Sequence, residues 1–207
     1  EGTAFFEKHV PAGEAEEFAK AGELDDWTHY LHDSTNNAVA DDTRVAPPSH
    51  LRWKGKPRWS RGHEYNSSLA AMVSAEGRLF YIIDRGTAGM HSGTWPPRWF
   101  LVARDAFNGV TLWDRRMRKW SPDAWGNVGF RSNPLVLPRR LVASGDRLYA
   151  TLSYGGPLQI LSASTGKTLE TCSQTEETHE IVQSNGTVVL RVRRQPGGNP
   201  RRQEWQK

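Results

Sequence analysis

The 207 residues are 37% hydrophobic, 10% aromatic and 24% charged, which suits an ordered globular chain and excludes a disordered one. No apolar run approaches the roughly 18 residues of a membrane-spanning helix, and none follows a basic stretch as in a signal peptide. The single cysteine, Cys172, excludes an internal disulfide and the cysteine-rich zinc classes.

Charge is unevenly spread. Residues 1–50 carry 11 acids and 3 bases, a net of −8, and the remainder carry 12 acids and 24 bases, a net of +12. Such asymmetry fits an acidic segment held on a basic body, or a second chain seated on the basic part. Nucleic acid is the less favoured partner, although Trp53 and Trp59 lie among bases and could stack on them.

In chain order, residues 1–24 read as an arm with one short helix. In PAGEAEEFAKAGEL (11–24), Pro11 suits a first helical position and acids fill the first turns. Residues 25–49 form a polar and aromatic lead-in. Here DDWTHYLHDSTNNAVADDT (25–43) has neither helical nor strand period. His29, His32 and Asp33 offer two or three metal ligands, but no further ligand is fixed by spacing. Otherwise the segment is architectural. Trp27 and Tyr30 are then expected to be buried against the first sheet, with Asn36 and Asn37 holding turns.

From residue 50 to 192 the chain alternates short apolar strands with turns. The predicted strand regions are HLRWKG (50–55), SLAAMVSAEGRLFYIID (68–84), RWFLVARDAFNGVTLWDRRM (98–117), RRLVASGDRLYATLS (139–153), PLQILSASTGKTLETC (157–172) and EIVQSNGTVVLRV (180–192). Regular short hairpins predict an all-β sandwich, barrel or propeller. Internal repeats select the propeller. SAEGRLFYII (74–83), ASGDRLYATL (143–152) and QSNGTVVLRV (183–192) align, and ARDAFNGVTLW (103–113) aligns with ILSASTGKTLE (160–170). The basic residues 193–207 read as a tail or the start of a next blade.

Between the first two predicted strands, PRWSRGHEYNSS (57–68) gathers Arg58, Trp59, Arg61, His63 and Glu64. Guanidiniums can bind a carboxylate or phosphate side-on, and His63 can change charge near neutral pH. These five residues are the predicted site for a small acidic ligand.

The pattern Ala103-x-Asp105-Ala106-x-x-Gly109-x-x-x-Trp113 resembles the repeat of the quinoprotein-like (pyrroloquinoline-quinone-type) β-propellers. A second copy keeps Ala163, Thr165 and Gly166, with Ser162 and Glu170 in place of Asp and Trp. The stretch from Trp27 to Asn37 is similar to the lead-in of that superfamily. The resemblance, to a bacterial subgroup of unassigned role, implies part of a quinoprotein-like propeller of three to four blades, in a periplasmic or exported protein. Such a ring needs seven or eight blades, so another polypeptide or a self-complex is expected to complete it. Dehydrogenases of the family carry a vicinal cysteine pair against the quinone and a Glu/Asn/Asp calcium set. One cysteine departs from that pattern. The expected role is therefore binding or scaffolding without chemistry. The alternative is a portion of a quinone- or metal-dependent oxidoreductase, with pyrroloquinoline quinone or a metal ion as cofactor.

Overall fold

The computed structural model describes residues 24–42, 51, 53–55, 67–87, 96–120, 124 and 134–193. The predicted helix within 11–24 and the tail from 194 lie outside them. Ten antiparallel strands are present among the described residues. Strands β1 (Leu69–Ala75), β2 (Arg78–Asp84), β3 (Trp99–Asp105) and β4 (Thr111–Arg116) form one sheet in sequential order. Strands β5 (Leu141–Ser144), β6 (Arg147–Thr151), β7 (Leu158–Ser162) and β8 (Thr168–Thr171) form a second. Strands β9 (Thr178–Ser184) and β10 (Thr187–Val192) form a hairpin. The four-stranded sheets are two successive blades, here A and B. The hairpin is the inner half of a third.

The first strands crowd together. β1 packs on β5, and β5 on β9, which places them on the axis side. The outer strands β4 and β8 are largely exposed. Period-2 alternation puts each apolar set on its own face. Leu141, Ala143, Leu148 and Ala150 face blade A, in a core with Val73, Phe80, Ile82 and Leu101. Val142, Tyr149 and Ile160 face the third blade and meet Ile181. Blade B is thus covered on both sides, which explains the unbroken burial of Leu148–Thr151 in β6.

Turn chemistry follows the sequence. Glu76 and Gly77 have φ of 50° and 70°, and Asn185 and Gly186 have 49° and 78°. Paired positive φ values match the right-handed twist of the flanking strands. The predicted strand over 50–55 is not formed at the described positions Leu51 and Trp53–Gly55. Trp53 is engaged elsewhere. Its indole donates to Ala106 O at 2.9 Å, and its ring lies where a Cβ on Gly109 would meet it at 2.5 Å.

Candidate functional site

Two ends of the propeller are distinguishable. One carries the β1–β2, β5–β6 and β9–β10 turns and the lead-in. The other carries the loops that follow β4, β6 and β8.

At the first end the lead-in ties three blades together. Ser74 N–H donates to Trp27 O at 2.7 Å, and Ala143 N–H donates to Thr28 O at 3.0 Å. Gln183 N–H donates to His29 Nε2 at 3.1 Å. Ser74, Ala143 and Gln183 are the equivalent first residues of the three aligned repeats. Successive lead-in residues therefore bind the same position in successive blades. Two further bonds brace the segment: Trp27 N–H to Ser74 Oγ, and Glu76 N–H to the Asp26 carboxylate.

The histidines are the buried members of this segment, each 6% exposed. Because His29 Nε2 accepts from Gln183, the proton sits on Nδ1 and is donated to Thr28 Oγ1 at 2.7 Å. The Thr28 hydroxyl passes this on to His32 O. Burial holds the His29 pKa below its ordinary 6.5, opposed by the Asp33 charge. His32 Nε2 bonds Asp25 Oδ2 at 2.6 Å, which also accepts from Asp41 N–H. Asp33 faces solvent and caps the next turn through Thr35 N–H and Oγ1, bonds that lower its pKa. These three sequence-level metal candidates are thus engaged with separate partners. Among the described residues no three His, Cys, Asp or Glu side chains gather at one point.

The expected burial of Trp27 and Tyr30 is corrected. Trp27 is half-buried and Tyr30 is 38% exposed, its ring 5.6 Å from the Arg139 guanidinium. Residue 32 adopts φ 74° to close the His29–His32 turn, and the two imidazoles there are buried while the Trp27 and Tyr30 rings are not. Asn36 takes φ 59°, as an Asn in a turn tolerates.

Arg58, Trp59, Arg61, His63 and Glu64 lie outside the described residues. Their flanks are placed: Gly55 against the Arg104 guanidinium, and Ser67 at the start of β1.

At the opposite end a cleft of about 500 Å³ is lined, among the described residues, by Pro96, Pro97, Arg116, Met117, Arg118, Lys119 and Trp120, none of them acidic. Lys119 O accepts Tyr154 N–H at 3.2 Å, and Tyr154 O accepts Arg140 Nη1. Arg140 is fully buried, with its guanidinium carbon 4.3 Å from the Tyr154 ring centroid. Sequence reasoning missed it. The only signal was an Arg-Arg pair leading into a strand, which reads equally well as solvated surface.

The repeat contacts identify the fold. Trp113 Nε1 donates to Ala163 O at 2.8 Å, and its ring lies 2.6 Å from where a Cβ on Gly166 would sit. Trp53 treats Ala106 and Gly109 in the same way, one blade earlier. No family model matches the chain, and no curated protein matches it. Among solved structures it is similar to a europium-containing methanol dehydrogenase, with a TM-score of 0.51 and 14% identity over 86% of this chain.

The fold is that of a quinoprotein β-propeller.

The match takes in 29% of the dehydrogenase, so this chain spans less than a third of that protein. The cofactor chemistry of quinoprotein dehydrogenases can be tested against the donors present. Cys172 is a lone, half-buried thiol beside Glu170, and burial raises its pKa. It supplies no vicinal pair for a quinone. The described carboxylates form no converging calcium or lanthanide set. The described residues of this quinoprotein-like segment do not fit either group.

Proposed function

We propose that this chain is a ligand- or partner-binding and scaffolding segment of a quinoprotein-like propeller, without chemistry of its own. The carrying observation is the cleft at a sheet end whose described lining includes Arg116, Arg118 and Lys119 and no acid, where loops are displayed for binding. The engagement of His29, His32 and Asp33 in lead-in bonds supports the same reading. In it, Arg58, Trp59, Arg61, His63 and Glu64 furnish a second ligand-facing loop. The remaining blades come from another polypeptide or a self-complex, in a periplasmic or exported setting.

The second reading is a portion of a quinone- or metal-dependent oxidoreductase. It rests on the fold shared with a europium-containing methanol dehydrogenase. Incubating the protein with pyrroloquinoline quinone and calcium or a lanthanide, then following alcohol-dependent dye reduction, separates the two. No reduction above the protein-free control is expected. Turnover that needs the quinone would establish the second reading instead.

A further inference from the structure

Beyond the cleft, the contact between blade B and the third blade holds four buried polar atoms, on three residues, without a hydrogen-bond partner among the described residues. They belong to Arg140 (both Nε and Nη2), Thr151 (Oγ1) and His179 (Nε2). Arg140 ends the 3-10 turn Pro138–Arg140, which packs against β6 and β9. Val142, Tyr149 and Ile160 face the third blade, and Thr151, two after Tyr149 in β6, shares their face. Leu141 pairs with Ala150, so Arg140 and Thr151 flank the same rung of the ladder. His179 is the second residue of β9 opposite and feels the Arg140 charge.

The atomic detail of Arg140 decides the chemistry. Nη1 is held by Tyr154 O. The two remaining donor atoms, Nε and Nη2, lie on one edge of the guanidinium. That edge is the side-on fork that meets two oxygens of a carboxylate or phosphate. A fully buried cation with an unmet fork is costly, because it has lost water without gaining a counter-charge. Burial accordingly lowers the Arg140 pKa, with Glu177 acting against it. Glu177 is the acid nearest to this role, but its carboxylate lies against Gly155 and 4.0 Å from His179 Nε2, with 35% of the side chain exposed.

We propose that this interblade contact is an oxyanion-binding site, in which the Arg140 fork takes one carboxylate or phosphate group and Thr151 and His179 donate to its remaining oxygens. Glu177 is the competing charge at its edge.

Calorimetric titration of the full chain with inorganic phosphate, and separately with acetate, at constant ionic strength tests this. One equivalent is expected to bind. Arg140→Lys keeps the charge but lacks the fork, and should weaken binding by at least about tenfold. Thr151→Val should weaken it less. Glu177→Gln should tighten it several-fold, a gain that a merely structural arginine would not produce. Binding of phosphate alone or acetate alone assigns the group; binding of both leaves the shared oxyanion. The proposal is overturned if neither anion binds, or if Arg140→Lys binds as wild type does. Should Arg140→Lys fail to fold, unchanged affinity in both Thr151→Val and Glu177→Gln overturns it as well.

Discussion

His29 is the residue on which the lead-in turns. It is 154 positions from its partner Gln183, and its neutral tautomer is fixed by the bonds at both ring nitrogens. Protonation would place a donor against the Gln183 N–H. The sign of the pH effect follows from the lowered pKa. The unfolded chain binds this proton more readily than the folded one, so stability rises with pH across the window between the two values. The contribution is complete above 6.5 and falls away as pH drops below it towards the folded value. His179, also held low by burial and then by Arg140, acts in the same direction. Urea unfolding at pH 7.5 and pH 5.5 should show lower stability at pH 5.5, and a smaller difference in His29→Gln. His29→Ala at pH 7.5 should cost about 1–3 kcal/mol, because it leaves the Gln183 amide without its acceptor. No residue pattern announces this role. The sequence shows two histidines three apart, which is also what a metal site shows, and only the fold reveals that each ring already has partners.

The repeating element is a tryptophan laid over a glycine in a blade's turn: Trp113, on the outer strand β4, over Gly166, and Trp53, outside the described strands, over Gly109. Gly109 and Gly166 have φ of 75° and 69°, where an L side chain is strained. Both also lack room for a Cβ beneath the indole. Gly166→Ala should therefore cost more than about 1 kcal/mol from backbone strain alone, with the clash added. Trp113→Phe keeps most of the ring but loses the bond to Ala163 O, and should cost about 1 kcal/mol. Trp113→Ala should cost about 3–5 kcal/mol. Equilibrium unfolding in denaturant measures all three. The turn of this element was legible in the sequence, since Ala106 and Gly109 recur as Ala163 and Gly166 at the same spacing, whereas the Trp113 position is Glu170 in the second copy. Within the turns, Asp105 Oδ1 accepts from Phe107 and Asn108 N–H, and Ser162 Oγ accepts more weakly from Thr165 N–H. Ser can stand in for Asp because the turn asks only for a short side-chain acceptor. In the region 50–55 the described residues Leu51 and Trp53–Gly55 form no strand. Its alternation is real, but Trp53 serves the blade A turn rather than a ladder among the described residues.

At the scale of the molecule, blade A meets blade B over a continuous core, while the far side is unfinished. β8 is exposed along its whole length, and Leu169 and Val189 are 57% and 60% exposed. Glu170 occupies the position where Trp113 clasps the following blade. Among the described residues β10 is an edge of its hairpin, and an apolar strand edge invites pairing. The hairpin periodicity made the fold class readable, but the ring's completion depends on surfaces that periodicity does not encode. Native mass spectrometry of the protein isolated under non-denaturing conditions is the most direct test. A mass above the 23.3 kDa of a single chain, from a second polypeptide or further copies, is expected. A sole species at 23.3 kDa whose β8 and β10 amides are all protected from hydrogen exchange would contradict it.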